Sequence, residues 1–487
     1  MMSVALPIAV IGAGPVGLAA AAHLLERGET PIVLEAGNAI GANVRDWAHV
    51  RMFSPWEYTV DRAAVRLLEA RGWEMPPLNE LPTGRDMVER YLVPFAQLSE
   101  VREHIHLNAR VVAVSRRNID KMKDAGREAA PFVLHVVYAN GEEVLIEARA
   151  VIDASGTWQE PNPLGSDGLP AAGEKRYREH ITYGIPDILG SQRERYANKR
   201  VMVVGSGHSA INALLALAEL KDSVSDTTIY WAMRGTNLKR VLGGGSADAL
   251  PARGQLGARV QASIDAGSIR IVSPFRVREV KAAGKALDVN GETPEGVETV
   301  QVDEIIATTG SRPNLDMLRE LRLDLDSALE STRELGPMID PNIHSCGTVR
   351  PHGEAELRHP EKDFYIVGMK SYGRAPTFLL ATGYEQVRSV VAALVGDWDA
   401  ARDVQLNLPE TGVCSTNLAG EVAACCAAPS EEQRALLPVS AIRVNNGLLQ
   451  PMELQLTSTT SSCGCDESCC NDGVRSTTCG CDAACCA

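Results

Sequence analysis

The chain has no uninterrupted apolar stretch of about 18 residues, so no segment is expected to span a membrane. It has no basic excess either. Its 48 Lys+Arg stand against 62 Asp+Glu, and the net charge of −14 argues against nucleic acid and anionic membrane surfaces as partners. A basic n-region is missing from Met1 to Val10, whose apolar run leads into a glycine turn and reads as a strand, not a secretory signal. Cysteine is scarce over most of the length: of 12 in the sequence, only Cys346 precedes residue 410. That excludes a disulfide-stapled body and fits a cytoplasmic protein with a thiol-rich appendage. At 487 residues the chain is too long for one core, and two or three domains are expected.

What is present is glycine in two fingerprints. Residues 7–11 read as a buried strand, Gly12-Ala13-Gly14-Pro15-Val16-Gly17 as a turn, Leu18 to Arg27 as a helix, and Pro31 to Glu35 as a second strand ending on an acid. Gly12 permits the tight turn, Gly14 lets the backbone approach a pyrophosphate, and Gly17 lets the helix pack on the strand. The helix N-terminus offers N–H groups to phosphate, and Glu35 would accept from a ribose diol. The second fingerprint is Gly205-Ser206-Gly207-His208-Ser209-Ala210, between a strand at 200–204 and a helix at 209–220. Its following strand, Thr228 to Ala232, ends without an acid. Arg234 stands there instead, with Lys239 and Arg240 close behind, and an arginine suits a 2′-phosphate by charge and fork geometry. The alternative is a solvated surface charge. Two turns therefore imply two dinucleotides, FAD at the first and NADPH at the second.

Further strands are expected at Val111 to Val114, Phe132 to Tyr138, Val144 to Ile146 and Ala150 to Asp153, the last running into Gly156. Ile305 to Gly310 and Phe364 to Gly368 repeat this strand-to-glycine ending. Short strands are expected over 269–302, with Asn290-Gly291 as a turn signal. Val111, Gly156 and Gly368 are expected along FAD, with Gly310 as a further cofactor-side glycine. The irregular stretch Arg45 to Asp61 reads as a loop over a ligand, with Arg45, Trp47, Arg51, Phe53 and Ser54 as its flavin-side candidates.

The pattern predicts an α/β chain of two Rossmann-type, three-layer ββα domains, one inserted in the other. The FAD domain covers 1–170 and resumes over 306–400, the NADPH domain covers 176–305, and an irregular cysteine-rich tail fills 401–487. The tail carries Cys414, the pair Cys425-Cys426, and a twice-repeated arrangement: Cys463, Cys465, Cys469 and Cys470, then Cys479, Cys481, Cys485 and Cys486. Thiolates are the ligands that soft ions prefer, so a metal or metalloid site is one reading. A redox relay and no role are the others. Cys346 is a candidate catalytic thiol, a metalloid ligand or an apolar filler.

The paired fingerprints, the Ala307-Thr308-Thr309-Gly310 ending and the inserted domain resemble the flavin monooxygenase and pyridine-nucleotide-disulfide reductase superfamily over about residues 5–400. No Cys-x-x-Cys or Cys-x4-Cys follows either turn, so the redox disulfide of the reductase branch is missing. The monooxygenase hallmark is echoed only by Gly173, His180 and Tyr183. More narrowly, Val203 to Asn212, Gly243-Gly244-Gly245 with Ala249 to Gly254, and Met369 to Pro376 resemble the flavin monooxygenases of bacterial arsenic-resistance operons. The resemblance implies an FAD- and NADPH-dependent oxidoreductase using O2, with a trivalent arsenical or another small thiophilic species as substrate. Terminal vicinal cysteines are shared with mercuric reductase, whose active-site disulfide motif is absent here. The rivals are a reductase or oxidase passing electrons to a partner or to thiols, and a metalloid-binding carrier or sensor on a flavoprotein scaffold. A homodimer is left open.

Overall fold

The computed structural model describes residues 5–238, 251–343, 349–376, 378–406, 441–445 and 448–452. They belong to two compact units, Met1–Thr416 and Asn417–Ala487, each taken by itself.

The first unit is built on two parallel sheets. One has the order β16-β7-β1-β2-β3, with β1 at Ile8–Ile11, β2 at Pro31–Leu34, β3 at Ile105–His106, β7 at Ala150–Asp153 and β16 at Phe364–Ile366. The strands β1 and β7 are buried along their whole length, as continuous apolar runs in a sheet covered on both faces should be. One face packs on the helices Pro15–Glu26 and Leu380–Leu394. The other packs on an antiparallel meander, β4 (Ala109–Arg116), β5 (Phe132–Tyr138) and β6 (Glu143–Ala148), through Val114, Phe132 and Leu134. These are the three expected layers. The helix begins at Pro15, earlier than the expected Leu18, because proline's missing N–H and fixed φ are no handicap in a first turn.

The second sheet has the order β11-β10-β9-β15-β8, from β11 (Ile269–Val272), β10 (Thr228–Ala232), β9 (Arg200–Val204), β15 (Glu304–Ala307) and β8 (Ile181–Tyr183). Helices His208–Ser223 and Pro251–Asp265 lie on one face, and the meander β12 (Arg276–Ala283), β13 (Ala286–Thr293) and β14 (Gly296–Val302) lies on the other. All its strands fall between β7 and β16 in sequence, so the second sheet is an insertion in the first lobe. The body's packing runs beyond residue 400. In the helix Trp398–Arg402 the Ala401 carbonyl accepts from Ser389 Oγ at 2.6 Å, and Gln405 N–H donates to Glu385 at 3.1 Å.

Two expectations are corrected. Asn290-Gly291 is not a turn but the middle of β13. Glycine stands there because the Phe275 ring lies against it, so that a Cβ would meet the ring at 2.4 Å. The second unit is not wholly irregular, since Ala441–Asn445 and Leu448–Met452 form an antiparallel pair. The sequence between them is Asn446-Gly447, a strong two-residue hairpin signal.

Candidate functional site

Both glycine turns sit at the carboxyl ends of central parallel strands, where open α/β sheets bind ligands. In the first, Gly12 has φ +101°, and a Cβ there would meet the Ala154 carbonyl at 2.9 Å. A Cβ on Gly17 would come within 2.0 Å of the Gly12 carbonyl, so the helix reaches the strand only with glycine. Gly14 is different: a Cβ would meet nothing within 4 Å. Packing does not require that glycine, and its bare backbone leaves room for a ligand to approach. Glu35 lies just past β2. Its carboxylate accepts from Ala13 N–H at 2.6 Å and from Gly37 N–H at 2.7 Å. Each oxygen retains a lone pair for a ribose diol. The residues present thus fit a dinucleotide.

The second turn repeats this geometry. Gly205 has φ +132°, and a Cβ there would meet the Thr308 carbonyl at 2.3 Å, whereas Gly207 faces open space. Trp231 Nε1 donates to the Gly205 carbonyl at 2.7 Å and fixes the turn to β10. The helix starting at His208 then presents free N–H groups. Arg234 lies two residues past β10, exposed, with Nη1 donating to the Ser166 carbonyl at 3.3 Å. Its charge is available at the strand end where a ribose 2′ substituent is read in such folds.

A cavity of about 200 Å³ joins the two lobes. The 47–59 loop contributes Trp47, Arg51, Phe53 and Ser54, and the second turn contributes His208 and Ser209. Leu380, the first residue of the helix Leu380–Leu394, and Phe378 just before it close the cavity. The Phe53 and His208 rings are 5.2 Å apart, so the loop expected over a ligand does reach the other turn. The loop is held from behind. Tyr384 Oη donates to the Thr59 carbonyl at 2.8 Å, and Asp61 N–H donates to Tyr91 Oη at 3.0 Å. The Asp61 carboxylate caps the helix Arg62–Glu69 and meets His23 at 3.0 Å. Burial pushes the Tyr91 and Tyr384 phenols well above their ordinary range, so both stay neutral donors or acceptors. Phe378 rests edge-on against Tyr372 at 5.1 Å, and the Tyr372 ring lies tilted against His352 at 5.6 Å. Burial lowers the His352 pKa. The neutral ring donates from Nδ1 to the Arg350 carbonyl and accepts at Nε2 from Gln386.

Other sequence candidates fall elsewhere. Arg45 is exposed and donates to the Ile40 carbonyl at 2.9 Å, outside the cavity lining. Val111 packs into the core under the first sheet, beside a register shift in the β4–β5 ladder. Gly156, at φ +72°, opens to free space next to the first turn. At Gly368 a Cβ would press on Val16 at 3.3 Å, and Gly310, at φ +83°, lies against Asn162. Gly173, His180 and Tyr183 make structural contacts. A Cβ on Gly173 would meet the Val280 carbonyl at 2.1 Å, His180 faces Glu304, and Tyr183 donates to the buried Glu174. Cys346 and the eleven tail cysteines lie outside the described residues. Among the described residues, no group of His, Cys, Asp and Glu is arranged to hold a metal ion.

One feature beneath the first turn went unread in the sequence. Lys370 Nζ donates to Asp153 at 2.7 Å and to Ser155 Oγ at 3.1 Å, with the two charged side chains 1% and 0% exposed. The pair ties the end of β7 to the turn after β16. An acid ending an apolar strand, as in Val151-Ile152-Asp153, was the available signal, but its partner is 217 residues away.

Comparison with known proteins agrees with the two-sheet α/β fold. Residues 9–347 match the pyridine nucleotide-disulphide oxidoreductase family. The chain is 24% identical over 330 residues to a ferredoxin–NADP reductase of Streptococcus pneumoniae, covering 67% of this chain and 80% of the relative. It is 30% identical over 214 residues to the indole-3-pyruvate monooxygenase YUCCA1 of Oryza sativa subsp. japonica, covering 43% and 44%. Among solved structures, the bacillithiol disulfide reductase of Bacillus cereus superposes with a TM-score of 0.56 at 17% identity, over 80% of this chain and 100% of that one. The cadaverine monooxygenase of the desferrioxamine pathway of Erwinia amylovora, bound to FAD, gives 0.57 at 12%, over 83% and 97%. No helix among the described residues is long and apolar enough to cross a membrane.

Proposed function

Since this chain belongs to the pyridine nucleotide-disulphide oxidoreductase family, we propose that it is an FAD- and NADPH-dependent oxidoreductase of monooxygenase type, acting on a trivalent arsenical or a related small thiophile. The observation that carries this reading is the cavity built jointly by the 47–59 loop and the second nucleotide turn. It is the place where a substrate, or the reactive end of NADPH, can meet the group held at the first turn. FAD, when bound, supplies the acceptor for a hydride from NADPH and the reactivity toward oxygen. The chain's own residues bind and orient. Gly14 and Gly207 leave room for phosphates, the helix N-termini at Pro15 and His208 face them, Glu35 holds a ribose, and Arg234 takes the 2′-phosphate. The apolar walls keep water from the reacting centre.

A disulfide reductase is disfavoured by arithmetic. One cysteine in the first 410 residues cannot form an internal redox disulfide there. The vicinal cysteines of the tail suit a soft ion, which they would hold for or from the body. A second reading, electron transfer to a protein partner, is favoured by the likeness to ferredoxin–NADP reductase. One experiment separates them. NADPH oxidation by the purified holoenzyme is followed under oxygen, with and without trivalent arsenicals, and with a ferredoxin, together with product speciation. Stimulation by the arsenical with an oxidised arsenic product is the expected outcome. Stimulation by ferredoxin alone favours the second reading.

A further inference from the structure

The cavity is uneven in its chemistry. Its walls are Trp47, Met52, Phe53, Phe378 and Leu380, and the polar groups among them are chiefly hydroxyls such as Ser54. Among the described residues lining it, none is Asp, Glu or Lys, and Arg51 is the one cation of fixed charge. Arg51 is itself turned outward, with Nη1 donating to the Leu81 carbonyl at 2.7 Å. An ammonium group entering this space would leave water for walls that, among the described residues, carry no carboxylate, and burying an unpaired charge is costly. An apolar body entering it gains by leaving water, at roughly 25 cal/mol per Å². Specificity is the difference between these two terms.

We infer that this cavity takes a compact, uncharged molecule with an apolar body and rejects ammonium-bearing substrates. The inference rests on the proposed function, because it takes the cavity as that enzyme's substrate site. The volume of about 200 Å³ has room for a molecule of about one aromatic ring and its substituents. Trivalent arsenicals bearing a small organic group are undissociated near neutral pH and meet both conditions.

The test uses the full chain loaded with FAD and two probes of nearly equal shape, benzyl alcohol and benzylamine, the latter protonated at pH 7. Calorimetry should show benzyl alcohol binding at least about tenfold more tightly, the ratio that about 1.4 kcal/mol of charge desolvation produces. The half-lining Ser54, nearly buried, is the place to reverse the preference: Ser54→Asp supplies the missing carboxylate and should bring benzylamine level with benzyl alcohol or above it. Equal or tighter binding of benzylamine by the unaltered protein overturns the inference whatever the variant does. So does binding of neither probe while NADPH still reduces the flavin, an outcome that leaves the proposed function standing. If NADPH fails to reduce the flavin, the proposed function falls and the inference with it.

Discussion

The two glycine turns share a backbone and differ in what surrounds them. Each has a left-handed glycine that no other residue could replace, Gly12 against the Ala154 carbonyl and Gly205 against the Thr308 carbonyl. Each has a middle glycine, Gly14 or Gly207, whose missing Cβ leaves open space. The strand ends diverge: Glu35 bonded into the first turn, Arg234 exposed beside the second. The third position diverges too. Gly17 packs on the Gly12 carbonyl, while Ala210 tolerates a methyl in the same place, buried in the second core. Under the proposed function, the common part serves both turns as phosphate cradles, and the divergent part suits one to a ribose diol and the other to a phosphorylated ribose.

The largest expected effect breaks the two turns apart. Because neither Gly14 nor Gly207 touches the protein at its Cβ position, an aspartate at either is tolerated by the fold and felt by the ligand. Gly14→Asp should abolish flavin retention, since its carboxylate meets a pyrophosphate at the positive end of a helix that binds anions. Gly207→Asp should leave the protein yellow and end NADPH-driven bleaching of the flavin. Absorbance of the purified variants, with circular dichroism to confirm folding, decides it. Loss of flavin from both folded variants would mean that the turns do not serve separate cofactors.

The sequence made the turns legible because glycine positions and strand periodicity are local. Five-residue strands such as Thr228–Ala232 and the whole of Phe132–Tyr138 were readable to the residue. What was not legible depends on contacts between distant segments. The cavity needs Phe53 beside His208 and Phe378 from just before the helix Leu380–Leu394. The Lys370–Asp153 pair and the Tyr384 tether to Thr59 likewise join residues far apart in the chain. Asn290-Gly291 misled for the same reason, since the Phe275 ring that demands a glycine there is not a neighbour in sequence. The hallmark echo at Gly173, His180 and Tyr183 was only loose, and these residues join the second lobe's framework.

Acid should separate the lobes by a smaller amount. In the first, His359 is buried against Phe364, with Nδ1 accepting from Asp324 N–H at 3.2 Å. Burial pushes its pKa from 6.5 down to about 4. Between those values the unfolded chain binds the extra proton and the folded chain does not, so stability rises with pH in that window. The contribution is fully present above pH 6.5 and is lost as the pH falls toward 4, amounting to about 3 kcal/mol. In the second lobe, neither His180 nor His208 is buried. Flavin release should therefore set in between pH 6.5 and 4. His359→Gln should flatten the pH dependence of stability over that range, at some cost in stability at pH 7. Denaturant titrations across the window check this, and an unchanged slope in the variant would place the acid sensitivity elsewhere.

The smallest effect tests what distinguishes the second turn. Arg234 is exposed, and its hydrogen bond to the Ser166 carbonyl is long at 3.3 Å, so the fold loses little from that contact when it is removed. Its value to the protein would lie in a charge-assisted contact with the 2′-phosphate. Such a contact is worth roughly 1.5–3 kcal/mol, or about ten- to a hundredfold in affinity. Solvent exposure places the expected loss at the lower end, because water and salt screen the charge. Arg234→Ala should weaken NADPH accordingly and leave NADH nearly unchanged. Raising the ionic strength should narrow the NADPH preference of the unaltered protein in the same direction. The measurement is flavin reduction against the concentration of each nicotinamide. Equal losses for the two would show that Arg234 supports the turn's shape, and that the contrast with Glu35 does not encode cofactor choice.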